Sequence, residues 1–217
     1  EEIEFLENHN FPEIQNIFWR NSNLKFNNKE NLLKSLEEKP DKDWLRRVGE
    51  CEDEKVLKYF LKENENINSN SDILKTLWEC CQIPDFVKKT YGHHLEVVNK
   101  IFNFLISKEK KVPNYYMKKQ LSLLDKIDGN VDSISNRISN VRTWAYVSNK
   151  SNWVENQDYW IERTKNLEDK LSDKLHDELT KTFIDKRASV LAKGLKQDIE
   201  LKTEIVEKEK VLINNQY

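Results

Sequence analysis

NVDSISNRISNVRTWAYVSN (130–149) and NQDYWIERTKNLEDKLSDKLHDELTKTFIDKRASVLAKGL (156–195) are the two segments on which the fold of this chain turns. In the first, Val131, Ile134, Ile138, Val141 and Ala145 recur at steps of three and four, the spacing that lines one face of an α-helix. In the second, Leu167, Leu171, Leu175, Leu179 and Phe183 recur every four residues. Both segments read as long amphipathic helices, and the short NKSNW connection (149–153) predicts that they pack back to back. Within the leucine stripe, Leu171 and Leu175 are expected to be buried. The fold class that follows is mainly α: a multi-helix bundle or array with two long central amphipathic helices.

Working outward toward the N-terminus, Pro113 opens a helix with Tyr116, Met117, Leu121 and Leu124, and Asp128-Gly129-Asn130 is a turn that ends on a good N-cap. Val87, Tyr91, Leu95, Val98, Ile101, Phe102 and Leu105 predict a long helix with a broad apolar face. Ahead of it, Ser71 or Asp72 caps a helix carrying Ile73, Leu74, Leu77, Trp78 and Cys81, which Pro84 interrupts. The polar run ENENINSNSD (63–72) is the clearest loop and internal boundary. Before it, an acidic start at ECEDE suits the positive end of a helix carrying Val56, Leu57, Phe60 and Leu61. Asn27 or Asn28 caps a helix with Leu32, Leu33 and Leu36, closed by Pro40. Residues 1–26 read as the tail of a helix, a break at Phe11-Pro12, a short helix holding Ile14, Ile17 and Phe18, and an extended stretch. Past Leu195 the pattern becomes β-branched and partly alternating, so Ile205-Val206 and Val211-Leu212-Ile213 predict two short strands around a charged link. Both ends look cut from something longer. The expected organisation is a short-helix region at 1–70, a main helical domain at 71–197 and the start of a small β element at 198–217.

The composition fits that architecture. Charged residues make up 34% and hydrophobic ones 37%, the balance of helices with heavily charged outer faces, and six Trp with seven Tyr argue against disorder. No run of about 18 apolar residues and no basic-then-apolar leader is present, so neither a membrane span nor a signal peptide is expected. Cys51, Cys80 and Cys81 have the spacing of neither a zinc site nor a disulfide framework and read as reduced thiols. A net charge of -2 argues against a uniformly basic protein that coats nucleic acid.

Catalytic and cofactor motifs are missing from the string. Gly49, Gly92, Gly129 and Gly194 stand far apart, so no glycine-rich loop can bring backbone amides against a phosphate. His93 and His94 are adjacent and point about 100° apart on a helix, which prevents them from chelating one metal together. No nucleophile carries a G-x-S-x-G type of context. No catalytic, cofactor-binding or metal-ligating residue is assigned.

Two surface readings remain. The first is contact with RNA. Between Lys88 and Lys119 eight lysines face only Glu96 and Glu109, which marks Lys108, Lys110, Lys111, Lys118 and Lys119 as a candidate basic patch. Arg137, Arg142 and Trp144 stand near Tyr146, Trp153, Tyr159 and Trp160 as a candidate stacking and backbone-contact group. The plain alternatives are solvated lysine faces and aromatics that close the end of a bundle. The second reading is a protein-docking face made by Asp169, Asp173 and His176, again set against a merely solvated helix face.

LWECCQIPDF (77–86), DKIDGNVDSISNRISNVRTWAYVSNKSNW (125–153) and above all EDKLSDKLHDELTKTFIDKRASVL (168–191) resemble the region behind the motor in bacterial relatives of the "suppressor of var" RNA helicase, the superfamily 2 enzyme of the mitochondrial degradosome. NHNFPEIQNIFWRNSNLKF (8–26) is similar to that family's segment shortly after its second motor domain, so the likeness spans most of residues 3–195. The resemblance implies an ATP-dependent parent helicase acting on RNA duplexes or RNA with DNA, with this chain as its C-terminal helical part. It implies that ATP and Mg belong to the motor domains, with no cofactor in this chain. It implies the motor domains of the same polypeptide as the main partner, weak and salt-sensitive RNA contact, a ribonuclease as a further partner, and no membrane. The location it implies is the bacterial cytoplasm, or the mitochondrial matrix in a eukaryote. The family's phosphate-binding loop, D-E-x-H box and arginine-bearing motif are absent, so no catalytic role carries over to any residue here. The rival expectation is a protein-interaction scaffold that touches no nucleic acid.

Overall fold

The computed structural model describes residues 17–63, 70–196, 203–206 and 210–213. The fold is mainly α, and the chain divides into two compact units, Glu1–Val112 and Pro113–Tyr217. The boundary expected near residue 70 therefore falls within the first unit, where the helices on either side of it pack together. The loop read at 63–72 lies mostly outside the described residues, as do the helix tail and the Phe11-Pro12 break.

The first unit opens with β1 (Ile17–Trp19), which pairs in parallel with β2 (Leu45–Arg47) in the register Ile17↔Leu45 to Trp19↔Arg47. This corrects the reading of Ile17 and Phe18 as part of a short helix. Spacing cannot separate a strand from a helix in so short an apolar run, and here Ile-Phe-Trp takes the extended form its side chains prefer. A parallel pair needs a crossover, and α1 (Lys29–Glu37) lies in that connection. The Asn28 side chain caps α1 by accepting from the Asn31 N–H at 2.7 Å, and Leu32 and Leu36 are buried. Buried Asn21 ties the preceding loop down, donating to the Ser35 carbonyl at 2.8 Å and to Glu38 at 2.7 Å.

Next comes α2 (Glu52–Glu63), with Glu52, Asp53 and Glu54 in its first turn and Val56, Leu57, Phe60 and Leu61 buried. Arg20, just after β1, grips Asp53 with two hydrogen bonds of 2.8 and 3.0 Å, reaches Glu54 at 3.5 Å and lies 5.0 Å from the Trp78 ring centroid. One guanidinium thus joins a strand end to two helices. Helix α3 (Ser71–Cys81) buries Leu74, Leu77, Trp78, Cys80 and Cys81; its cap is Asn70, one residue before the expected Ser71 or Asp72. Helix α4 (Tyr91–Ile106) starts later than Val87 because the Asp85 carboxylate accepts the Lys88 N–H at 2.9 Å and Lys88 takes a positive φ of 48°. Thr90 then caps it through the His93 N–H.

The second unit is built from α5 (Asn114–Leu124), α6 (Val131–Asn149) and α7 (Gln157–Lys196), followed by an antiparallel pair of β3 (Thr203–Val206) and β4 (Lys210–Ile213). The two short strands and the back-to-back packing of α6 on α7 both match the sequence. Asn130 caps α6 through the Ser133 N–H at 3.0 Å. Ile134, Ile138, Val141, Trp144 and Val147 of α6 are buried, as are Trp160, Thr164, Leu167 and Leu171 of α7, and Trp153 and Val154 are buried in the connection. The Trp160 indole N–H donates to Asn114 at 2.8 Å, and Asn114 donates to Glu155 at 2.7 Å. Those bonds fix the start of α5 to the start of α7. No helix among the described residues is long and apolar enough to cross a membrane.

Candidate functional site

The feature of the second unit that packing does not consume is the outer half of α7. This helix has 40 residues and α6 has 19, so an antiparallel partner starting opposite Gln157 runs out near residue 175. A spacing of four also overshoots the helical repeat of 3.6, which turns each successive residue of the stripe about 40° further around the axis. Over the four steps from Leu167 to Phe183 the drift is about 160°. Leu167 and Leu171 are accordingly buried and Leu175 is partly so, while Leu179 is 48% exposed, Phe183 51% and Ile184 59%. The stripe thus leaves the core at Leu179 and Phe183, and of the two leucines expected to be buried Leu171 is fully so and Leu175 partly. The steps of three and four in α6 average 3.5 and hold its apolar residues on one seam.

By the same rotation, Phe183 lies about 20° from His176 around the axis, and Ile184 about 20° from Asp173. Asp169, Asp173 and His176 are all exposed. The polar face read from the sequence and the exposed apolar residues therefore form one surface on a single helix. Arg187 covers part of it, with its guanidinium 4.3 Å from the Phe183 ring centroid. At the root of this segment Lys174 and Lys181 both hold Glu178, at 2.7 and 3.0 Å, and keep its carboxyl below the usual range.

Of the residues expected to touch RNA, Trp144, Arg137 and Arg142 have partners within the protein. Trp144 is 4% exposed and meets Tyr116 edge to face with ring centroids 5.7 Å apart, so its ring is a packing surface and offers no face to a base. Trp153 and Trp160 are buried with it, and of this group Tyr159 is the exposed one. Arg137 donates to the carbonyls of Lys126 and Asp128 at 2.7 and 2.5 Å, closing the turn that leads into its own helix. Gly129 sits in that turn with φ of 122°, where a Cβ would come within 3.3 Å of the Arg137 guanidinium. Arg142 is exposed, and its Nε donates to Glu168 at 2.8 Å, joining α6 to α7. Lys108 and Lys110 are exposed and Lys111 half-buried in the turn after α4, whereas Lys118 and Lys119 are exposed on α5. The first three belong to one unit and the last two to the other.

Sequence reasoning missed two clusters. Asp125 receives Lys170 at 2.7 Å and Arg163 at 2.8 Å, and the Lys170 hydrogen bond leads the effects that hold its carboxyl below the usual range. The other is an open cleft in the first unit, lined by Cys51, Glu52, Asp53, Asp85, Lys88 and His94 among others. Among the described residues no group of three or more His, Cys, Asp or Glu side chains is placed to hold a metal ion. No protein-family profile, curated protein or solved structure matches the chain.

Proposed function

We propose that this chain is a helical protein-docking module, the C-terminal part of an ATP-dependent RNA helicase of the suppressor-of-var type, and that the outer half of α7 braces the motor domains of the same polypeptide. The observation that carries the docking role is the exposed run of Leu179, Phe183 and Ile184 on a helix that outlasts its partner. An amphipathic helix with apolar residues at such spacing is a standard way of filling a groove on another domain. The assignment to the helicase rests on the resemblance of 77–86, 125–153 and 168–191. ATP and Mg then act in the motor, and the compartment is the bacterial cytoplasm or the mitochondrial matrix.

Two experiments bear on it. The reading frame upstream of Glu1 should encode two motor domains with a G-x-x-x-x-G-K-S/T loop; a start codon directly before Glu1 overturns the parentage. A motor fragment from that frame should co-elute with this chain, and Leu179→Asp with Phe183→Asp should abolish co-elution while leaving the helical circular dichroism intact. Co-elution that survives the double variant overturns the role of α7.

Guiding of RNA is a second reading, favoured by the exposed Lys108, Lys110, Lys118 and Lys119. It requires single-stranded RNA binding that falls with salt by about 0.7 log units per phosphate contact and log unit of salt. Neutralising those lysines should abolish it. Binding that is undetectable at low salt leaves the scaffold role, with a ribonuclease as the further candidate for the Asp169, Asp173 and His176 face.

A further inference from the structure

The face of α7 that carries Leu179 and Phe183 has its charges sorted by end. Measured from Phe183, Asp169 lies about 40° and Asp173 about 80° around the helix axis, on the same side as Arg187 at about 40°. All three are exposed. Asp169 and Asp173 have no hydrogen bond or ion pair among the described residues. The lysines of that stretch point elsewhere and are occupied, Lys170 by Asp125 and Lys174 by Glu178. Beyond Phe183 the sign reverses. Lys186 and Arg187 flank the face, while Asp185 lies on the other side of the helix, about 160° from Phe183. The exposed face is thus acidic at one end, apolar at Leu179, Phe183 and Ile184, and basic at the other.

That order is complementary to itself only when reversed. A parallel copy would set carboxylate against carboxylate and guanidinium against guanidinium, which repel. An antiparallel copy related by a two-fold axis opposite Thr180 sets Asp173 against Arg187 of the other copy at both ends, because each stands seven residues, about 10 Å, from Thr180. The Leu179 side chains of the two copies then meet near the centre, with each Phe183 beside His176 of the other. Arg187 lies with its guanidinium 4.3 Å from the Phe183 ring centroid, and a guanidinium stacked on a ring presents its N–H groups along its edge, where a carboxylate approaches. Helices α5 and α6 meet α7 on the side of Lys170, Leu167 and Leu171 and leave this face uncovered. Three apolar side chains from each copy fall short of the roughly 800 Å² per partner of a stable interface, so the pairing is weak, with a dissociation constant of about 10–100 µM.

We propose that α7 pairs with α7 of a second copy of this chain, antiparallel about a two-fold axis opposite Thr180, whenever no motor domain is seated on the face. Such pairing rests on the reading of this face as a docking surface and gives that surface a regulator, since a motor domain has to displace the second copy to engage it. At about 1 µM the chain is monomeric and the face is open.

The test is sedimentation equilibrium of the full chain from about 1 µM to about 500 µM. A reversible rise from the mass of one chain to that of two is expected. Asp173→Lys and Arg187→Asp, both on the exposed face, should each weaken the pairing about tenfold or more, since each sets like charges together at both ends. An equimolar mixture of the two variants should regain it, because every charge then meets its opposite, and that recovery also shows that both variants are folded. Leu179→Asp with Phe183→Asp should abolish the pairing. A monomer at every concentration, a mass above two chains, pairing unaffected by either charge variant, or a mixture no tighter than the variants alone overturns the proposal. Co-elution of the motor fragment is measured at about 1 µM, where the chain is single. A chain that never pairs therefore overturns the second copy alone, and failed co-elution overturns the role of the motor alone.

Discussion

Single side chains here are mostly spent on holding the backbone, and the arginines show why their roles were hard to read in a string. Arg137 looked like an RNA contact because it stands near aromatics, but its acceptors are carbonyls exposed by a turn whose shape depends on the positive φ of Gly129. Nothing in the residue spacing names a carbonyl as a partner. Arg137→Ala should cost about 1–2 kcal/mol in chemical denaturation, the range for hydrogen bonds from a charged donor at a half-buried site. A loss near zero would return Arg137 to the surface. Titration separates two other residues. Burial lowers the pKa of His94, so the stability it contributes is complete above about pH 6.5 and is lost as pH falls through its lower folded value. Asp125, held down first by Lys170, contributes above about pH 3.9 and loses that only in stronger acid. Unfolding free energy measured from pH 8 to pH 2 should therefore fall in two stages, and Asp125→Asn should make the lower one shallower and leave the upper one unchanged. Flattening of the upper stage would contradict the assignment.

Among the elements, the stripe of leucines marks both the reach and the failure of periodicity. Helix existence, the pairing of α6 with α7 across a short connection, a cap at Asn27 or Asn28 that the structure places at Asn28, and the late pair of strands were all legible, because each depends on patterns local in the sequence. How far the α7 face stays buried was not, since it depends on the length of α6 and on a drift that four-residue spacing accumulates. The consequence is a contrast along one helix. Leu171→Ala should cost about 2–5 kcal/mol, the range for a buried leucine, whereas Leu179→Ala should cost less than about 0.5 kcal/mol in the isolated chain. Equal losses at the two positions would mean that Leu179 is covered. The β1 and β2 pair escaped for a related reason: its partners are separated by the whole of α1, and three-residue strands carry too little pattern to declare themselves.

At the scale of the molecule, the division at Val112 and Pro113 has a physical basis that the polar run at 63–72 obscured. Polarity marks where a chain meets water, whereas a unit boundary is where few contacts cross, and the two coincide only when a loop also separates cores. The second unit has its own internal ties. Asp125 is held by Arg163 and Lys170, Arg142 by Glu168 and Trp160 by Asn114, and all of these lie past residue 112. The candidate docking face on α7 stands on this frame. A fragment of residues 113–217 should therefore be soluble, show the helical circular dichroism of α5 to α7 and unfold cooperatively. Leu171→Ala should cost the fragment and the full chain the same within about 0.5 kcal/mol, as expected when a site shares no partner across a boundary. A fragment without helical signal, or a Leu171→Ala cost that differs by more than that, would mean that the two units stabilise one another and that the α7 surface must be tested only in the intact chain.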